Sequence, residues 1–150
     1  MPEKKTIQRA RRDARESKAP STQAGEFVRE EMDHIREGKH GARSAKQAIA
    51  IGLSKARRAG VRLAPPKKGR ASERTRTQAA RDSAKAAEAS RPVSRKRSRA
   101  VTSALKREGS AAASHTALSR RAQASAKRRG PADRSKAARK AATTRARRSG

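Results

Sequence analysis

Ser44-Ala45-Lys46-Gln47-Ala48-Ile49-Ala50-Ile51-Gly52-Leu53-Ser54-Lys55-Ala56-Arg57-Arg58-Ala59-Gly60 is the stretch that decides the fold. Ser44 with Gln47 three residues on is a capping-box pattern, and Gly60 stands where a helix ends in a left-handed residue. Between them Ala45, Ala48, Ile49, Gly52, Leu53 and Ala56 share one face, which predicts a helix over about 45–59. The row Ala48, Gly52, Ala56 is small at every fourth position, so another backbone can approach closely. Gly52 costs ~1 kcal/mol against alanine inside a helix, and close packing is a physical reason to find it there.

Upstream, residues 23–37 predict a second amphipathic helix. Glu26, Glu30, Asp33 and Glu37 form one stripe, read as a solvated face. Val28, Met32 and Ile35 lie opposite, flanked by Phe27. Ser21 or Thr22 can cap its start and Gly38 its end. The two helices predict a small αα-hairpin over 21–64, with a loop at Gly38–Arg43 and a core of Val28, Met32, Ile35, Ile49 and Leu53. Residues 1–20 read as a disordered basic arm. Pro65-Pro66-Lys67-Lys68-Gly69 reads as a linker.

Beyond it, residues 70–150 are Ala/Arg/Lys/Ser low-complexity sequence, with breaks at Pro92, Gly109, Gly130-Pro131 and Gly150. Their large apolar side chains are Val93, Val101, Leu105 and Leu118. Those four cannot offset the ordering entropy of the segment, roughly 1–2 kcal/mol per residue for the backbone alone. Segments near 72–90, 94–108, 111–129 and 132–148 have helix-forming composition, but like-charge repulsion should fray them until phosphates remove it. The expected fold class is all-α: a short αα-hairpin followed by a largely disordered, helix-prone basic tail.

Charge is segregated. Residues 1–20 carry net +4, residues 21–38 net −3 and residues 39–150 net +28. At that density the natural partner is a polyanion. Arg outnumbers Lys 28 to 14, and guanidinium offers bidentate phosphate contacts and fits narrow minor grooves. The candidate nucleic-acid contacts are Arg57, Arg58, Lys67, Lys68, Arg70, Arg95, Lys96, Arg97, Arg99, Arg120, Arg121, Lys127, Arg128, Arg129, Arg139, Lys140, Arg145, Arg147 and Arg148. With one Phe and no Tyr or Trp there is no stacking platform for splayed bases, which favours duplex backbone over single strands.

Other chemistries find little support. Cysteine is absent, which excludes disulfides and thiol chemistry. His34, His40 and His115 lack a recognisable metal-ligand spacing, so no metal, cofactor or catalytic residue is expected. No apolar segment is long enough for a signal peptide or membrane span, and the basic helices lack the large apolar face that membrane-surface binding needs.

His40-Gly41 followed by Lys46-Gln47-Ala48-Ile49-Ala50-Ile51-Gly52-Leu53-Ser54-Lys55-Ala56 resembles a bacterial family of small basic proteins classed as a domain of unknown function. Members typically show a His-Gly pair and a Lys-Gln-Ala-Ile-Ala-Ile-Ala-Leu-Ser run, matched here by His40, Gly41, Lys46, Gln47, Ile49 and Leu53, with Gly52 in place of the usual alanine as a mild departure. The resemblance covers roughly residues 24–69 and implies a bacterial source but no activity. The tail is similar in composition only to histone H1-like bacterial proteins.

The expected function is therefore duplex DNA binding through phosphates, without sequence preference, in the cytoplasm at the nucleoid, with compaction or bridging of DNA. The alternatives are a structured-RNA or ribosome-associated protein, and an adaptor whose hairpin binds a protein partner or itself while the tail localises it.

Overall fold

The computed structural model describes residues 1–87 and 94–149. Pro92, Val93, Gly150 and the side chain of Arg148 lie outside the described residues. The chain divides into two units, Met1–Ser114 and His115–Gly150.

In the first unit α2 (Pro20–Arg36) and α3 (Ala45–Arg58) pack directly against one another, α1 (Lys4–Arg15) packs on α2, and α4 (Glu73–Ala87) packs on α3. The Ser44 hydroxyl accepts from the backbone N–H of Gln47 at 3.2 Å, while the Gln47 side chain accepts from the N–H of Arg43 at 2.8 Å. Gly38 and Gly60, at φ +72° and +93°, end α2 and α3 in conformations that suit glycine. α2 starts differently from the expectation. Pro20 is its first residue, after Ala19, and neither Ser21 nor Thr22 caps it.

The row Ala48, Gly52, Ala56 is buried. A Cβ on Gly52 would stand 2.7 Å from Cα of Val28, so the backbone of α2 runs directly over this glycine. Ala10, Ala24, Phe27, Ala56 and Val61 form a buried cluster, with Ile7, Leu53 and Leu63 against it. Phe27 and Ile35 are the largest apolar side chains fully enclosed. Val28, Ile49 and Leu53 are only partly buried.

The disordered arm is corrected first. Residues 4–15 are helical and bury Thr6, Ala10 and Asp13. This basic helix covers the first half of the acidic stripe of α2, so Glu26 and Glu30 leave the solvated face expected of them, whereas Asp33 stays half-exposed and Glu37 exposed. Glu26 pairs with Arg9 at 3.4 Å, and Glu30 accepts from the N–H of Glu3 at 3.3 Å.

The largely disordered tail is corrected too. α4, α5 (Arg95–Lys106) and α6 (His115–Ser149) are helices in the free chain, so helix formation does not wait for phosphates. Alanine between the charges supplies propensity and thins the like-charge contacts. Ser72 and Ser94 accept from the N–H groups of Thr75 and Arg97, capping α4 and α5. α4 also borrows the core of the first unit through buried Ala79 and Asp82. The Pro65–Gly69 segment is not a boundary between units. It joins α3 to α4 inside the first one, and Arg76 of α4 donates to the carbonyl of Pro66 at 3.2 Å.

α5 packs on no other helix among the described residues. Its C-terminal corner is held instead by the loop before α3, where the N–H groups of Gly41 and Ala42 donate to the carbonyls of Leu105 and Gly109 at 2.9 and 3.1 Å. A Cβ on Gly41 would lie 1.8 Å from the carbonyl oxygen of Glu108, so only glycine fits. Ala112 and Ala113, in a short 3-10 turn after α5, are buried against α2 and α3. In the second unit α6 breaks at Gly130 (φ 72°, ψ 168°), and Pro131 opens its second half.

Candidate functional site

Two features have chemical potential: the exposed basic helices, and a buried cluster of carboxylates and histidines in the first unit.

α5 has no buried residue. Arg95, Lys96, Arg97 and Arg99 are all exposed on it, and Ser98, Arg99, Thr102, Ser103, Lys106 and Arg107 line a shallow groove of hydroxyls and cations. In α6, residues 131–147 are exposed at every position, among them Arg139, Lys140, Arg145 and Arg147. In its first half Arg120, Lys127, Arg128 and Arg129 are exposed and Arg121 is half-buried. Lys67, Lys68 and Arg70 are exposed in the segment before α4. The side chain of Arg148 is outside the described residues.

Arg57 is removed from this set, and Arg58, though exposed, is tied into the first unit. Arg57 is buried, and its guanidinium donates to the carbonyls of Leu63 and Ala64 at 3.2 and 3.4 Å, pinning the segment after α3. Burial pushes its pKa below the ordinary arginine value. Arg58 donates to buried Asp82 at 2.9 Å. Asp82 also accepts from Ser54 at 2.7 Å and Gln78 at 3.1 Å, and so holds α4 on α3.

Of the family-like positions, His40 and Gly41 sit in the loop, with Gly41 under the α5 corner. Lys46 is exposed, Gln47 closes the cap, and Ile49 and Leu53 are partly buried.

The buried cluster is built from α2, α3, the loop and the N-terminus. Glu31 is fully buried, with Oε2 2.6 Å from Nζ of Lys55 and Oε1 3.0 Å from Nε2 of His40. Glu30 is buried beside it, 3.7 Å from the same lysine. His34, one turn after Glu31, has Nε2 2.9 Å from Oε1 of Glu3. The two imidazoles meet edge to face at 6.1 Å. The hydrogen bond from His34, helped by Lys39, holds the Glu3 carboxyl below its ordinary pKa. Glu37, and then Glu3, raise that of Lys39.

Glu31, His34 and His40 each offer one ligand atom within 4.8 Å of the others. Sequence spacing did not reveal this group, because His40 reaches it only through the turn at Gly38. The signal that was present is Glu31-x-x-His34, an i,i+3 pair on one helical face. No helix among the described residues is long and apolar enough to cross a membrane.

No curated protein and no solved structure matches the chain. Residues 17–68, which run from the corner before α2 through α3 and the segment that Arg57 pins, match the model of a family of unknown function (DUF6496).

Proposed function

We propose that the chain binds duplex DNA through its phosphates, without sequence preference, using α5 and α6. The observation that carries this reading is where the charges are exposed. Acids of the first unit are largely consumed by local partners: Glu26 by Arg9, Glu31 by Lys55, Asp33 by Arg36, Glu73 by Arg76 and Asp82 by Arg58. The cations of α5 and of the second half of α6 stand on helices exposed along their length. A helix that is polar all round buries no core, and what it offers a partner is charge and shape. Rows of guanidinium and ammonium groups on rigid helices bind phosphate by releasing condensed counterions. The one aromatic residue, Phe27, is enclosed in the core and offers no base a stacking surface, which favours duplex over splayed single strands.

Fluorescence anisotropy of a labelled duplex with the full chain, across a salt series, tests this. Expected is a log–log slope steeper than about −8, meaning about nine or more phosphates at ~0.9 each, with equal affinity for unrelated sequences. A shallow slope, or complete displacement of the duplex by equimolar structured RNA, would overturn it.

A further inference from the structure

The protonation pattern around His40 and His34 leaves a gap that the described side chains do not fill. Nδ1 of His40 lies 3.1 Å from the carbonyl oxygen of Gly41, a group that only accepts, so Nδ1 carries the proton. In the neutral ring Nε2 then presents a lone pair to Oε1 of Glu31, 3.0 Å away, where a second acceptor should repel it. Glu31 is fully buried, and neither of its oxygens has a partner in hydrogen-bonding geometry. Lys55 stands close to Oε2 and leaves Oε1 facing His40. His34 repeats the pattern. Its Nε2 meets the carboxylate of Glu3, and the remaining lone pair is on Nδ1.

We propose that Glu31, His34 and His40 bind a divalent transition-metal ion of the zinc class. A cation between Oε1 of Glu31 and Nε2 of His40 turns the facing lone pairs into two ligand bonds. Tetrahedral bonds of ~2.0–2.1 Å put ligand atoms about 3.3 Å apart. The Glu31–His40 pair therefore opens by about 0.3 Å, and the one nitrogen of His34 that lies within 4.8 Å of both partners closes by at most about 1.5 Å. Two imidazoles and one carboxylate select zinc, cobalt or nickel over magnesium or calcium. With Nδ1 of His34 as the ligand, the outer contacts are those of a metal site, each histidine being held through its other nitrogen, His40 by the Gly41 carbonyl and His34 by Glu3. Such an ion fastens the loop to α2 and, through Gly41 and Ala42, steadies the corner that carries α5.

The test uses the full chain, freed of metal by chelator and titrated with Co²⁺ and then Zn²⁺. Expected are tetrahedral-type d–d absorption saturating at one equivalent, displacement of cobalt by zinc, and a higher melting temperature with zinc. His40→Ala and Glu31→Gln should abolish the band, and His115→Ala should leave it unchanged. Glu3→Gln should weaken affinity about 10–100-fold while keeping the spectrum. Absence of saturable binding, or binding that survives both His40→Ala and Glu31→Gln, overturns the proposal and leaves the His40–Glu31 contact as packing of the loop on α2. Should Glu31→Gln fail to fold by circular dichroism, the exposed Glu3 decides, and affinity unchanged in Glu3→Gln overturns the proposal.

Discussion

At the scale of single residues, two glycines set how closely the first unit packs, and they were not equally legible. Gly52 was readable because its small neighbours recur every fourth residue on the same helix. The depth of the contact was not, since it depends on Val28 of the other helix. Gly52→Ala gains ~1 kcal/mol in helix propensity. Its Cβ meets backbone atoms of Val28 at 2.7 Å, which a rotamer change cannot relieve. Overpacking of that kind costs about 1–3 kcal/mol. Urea denaturation should therefore show Gly52→Ala less stable than wild type by up to ~2 kcal/mol, and a stabilised variant would show that the helices separate freely. Gly41 is equally constrained, yet its partner Glu108 lies far along the chain in a segment read as disordered. Local pattern carries no information about such a contact. Arg57 misled for a related reason. As sequence it is one cation in a basic run, and only the fold shows that its guanidinium is buried on two carbonyls.

At the scale of elements, the positions of the helices were largely written in caps, periodicity and glycines, but their docking was written in charge. α1 was missed as a packed element because its buried residues, Thr6, Ala10 and Asp13, do not announce a core. The turn from α1 to α2 is held by Lys18, whose ammonium lies 2.7 Å from both Asp13 and Glu16. Asp13, and after it Glu16, raise the pKa of Lys18 above its ordinary 10.5. Lys18 in turn lowers that of Glu16 below its ordinary 4.5. The lysine contribution is fully present below 10.5 and lost as pH rises through the higher folded value. The glutamate contribution is present above 4.5 and lost as pH falls through the lower folded value. Lys18→Met should therefore be destabilised relative to wild type between about pH 5 and 10, with the difference shrinking at both ends. Denaturant midpoints across that range check it, and a pH-independent difference would assign the loss to packing. α4 gives a second case. Asp82 is buried and accepts from Ser54, Arg58 and Gln78. Asp82→Ala should cost about 1–3 kcal/mol, because it removes hydrogen bonds to a charged, buried acceptor that ties α4 to α3, and amide exchange should accelerate in α4 before α2. Uniform acceleration would mean that α4 is not docked through this residue.

At the scale of the whole molecule, charge segregation becomes a division of labour. Acids that precede residue 39 are held by cations of the first unit, among them Glu26 by Arg9, Asp13 and Glu16 by Lys18, Glu31 by Lys55, Asp33 by Arg36 and Glu37 by Lys39, while α5 and α6 carry net +5 and +11 of the chain's +29 with little acid beside them. Composition revealed the excess but not its presentation. Few large apolar side chains were read as too little to order the tail, whereas a helix needs a core only if it is to fold against something, and the second half of α6 is exposed at every described position. That exposure permits a prediction that separates binding from folding. Replacing Arg134, Lys136, Arg139, Lys140, Arg145 and Arg147 by glutamine removes cations that are all exposed. Glutamine has nearly the helix propensity of arginine and lysine, so far-UV circular dichroism should change little. The melting transition of the first unit should also stay where it is, because none of the six side chains belongs to it. If these six engage phosphates, the log–log salt slope for duplex DNA should become shallower by up to about 5, at ~0.9 for each phosphate no longer neutralised, for every duplex sequence alike. A slope that does not move, with helix content intact, would place phosphate binding on α5 and the first half of α6 and leave the exposed end of the chain without a part in it.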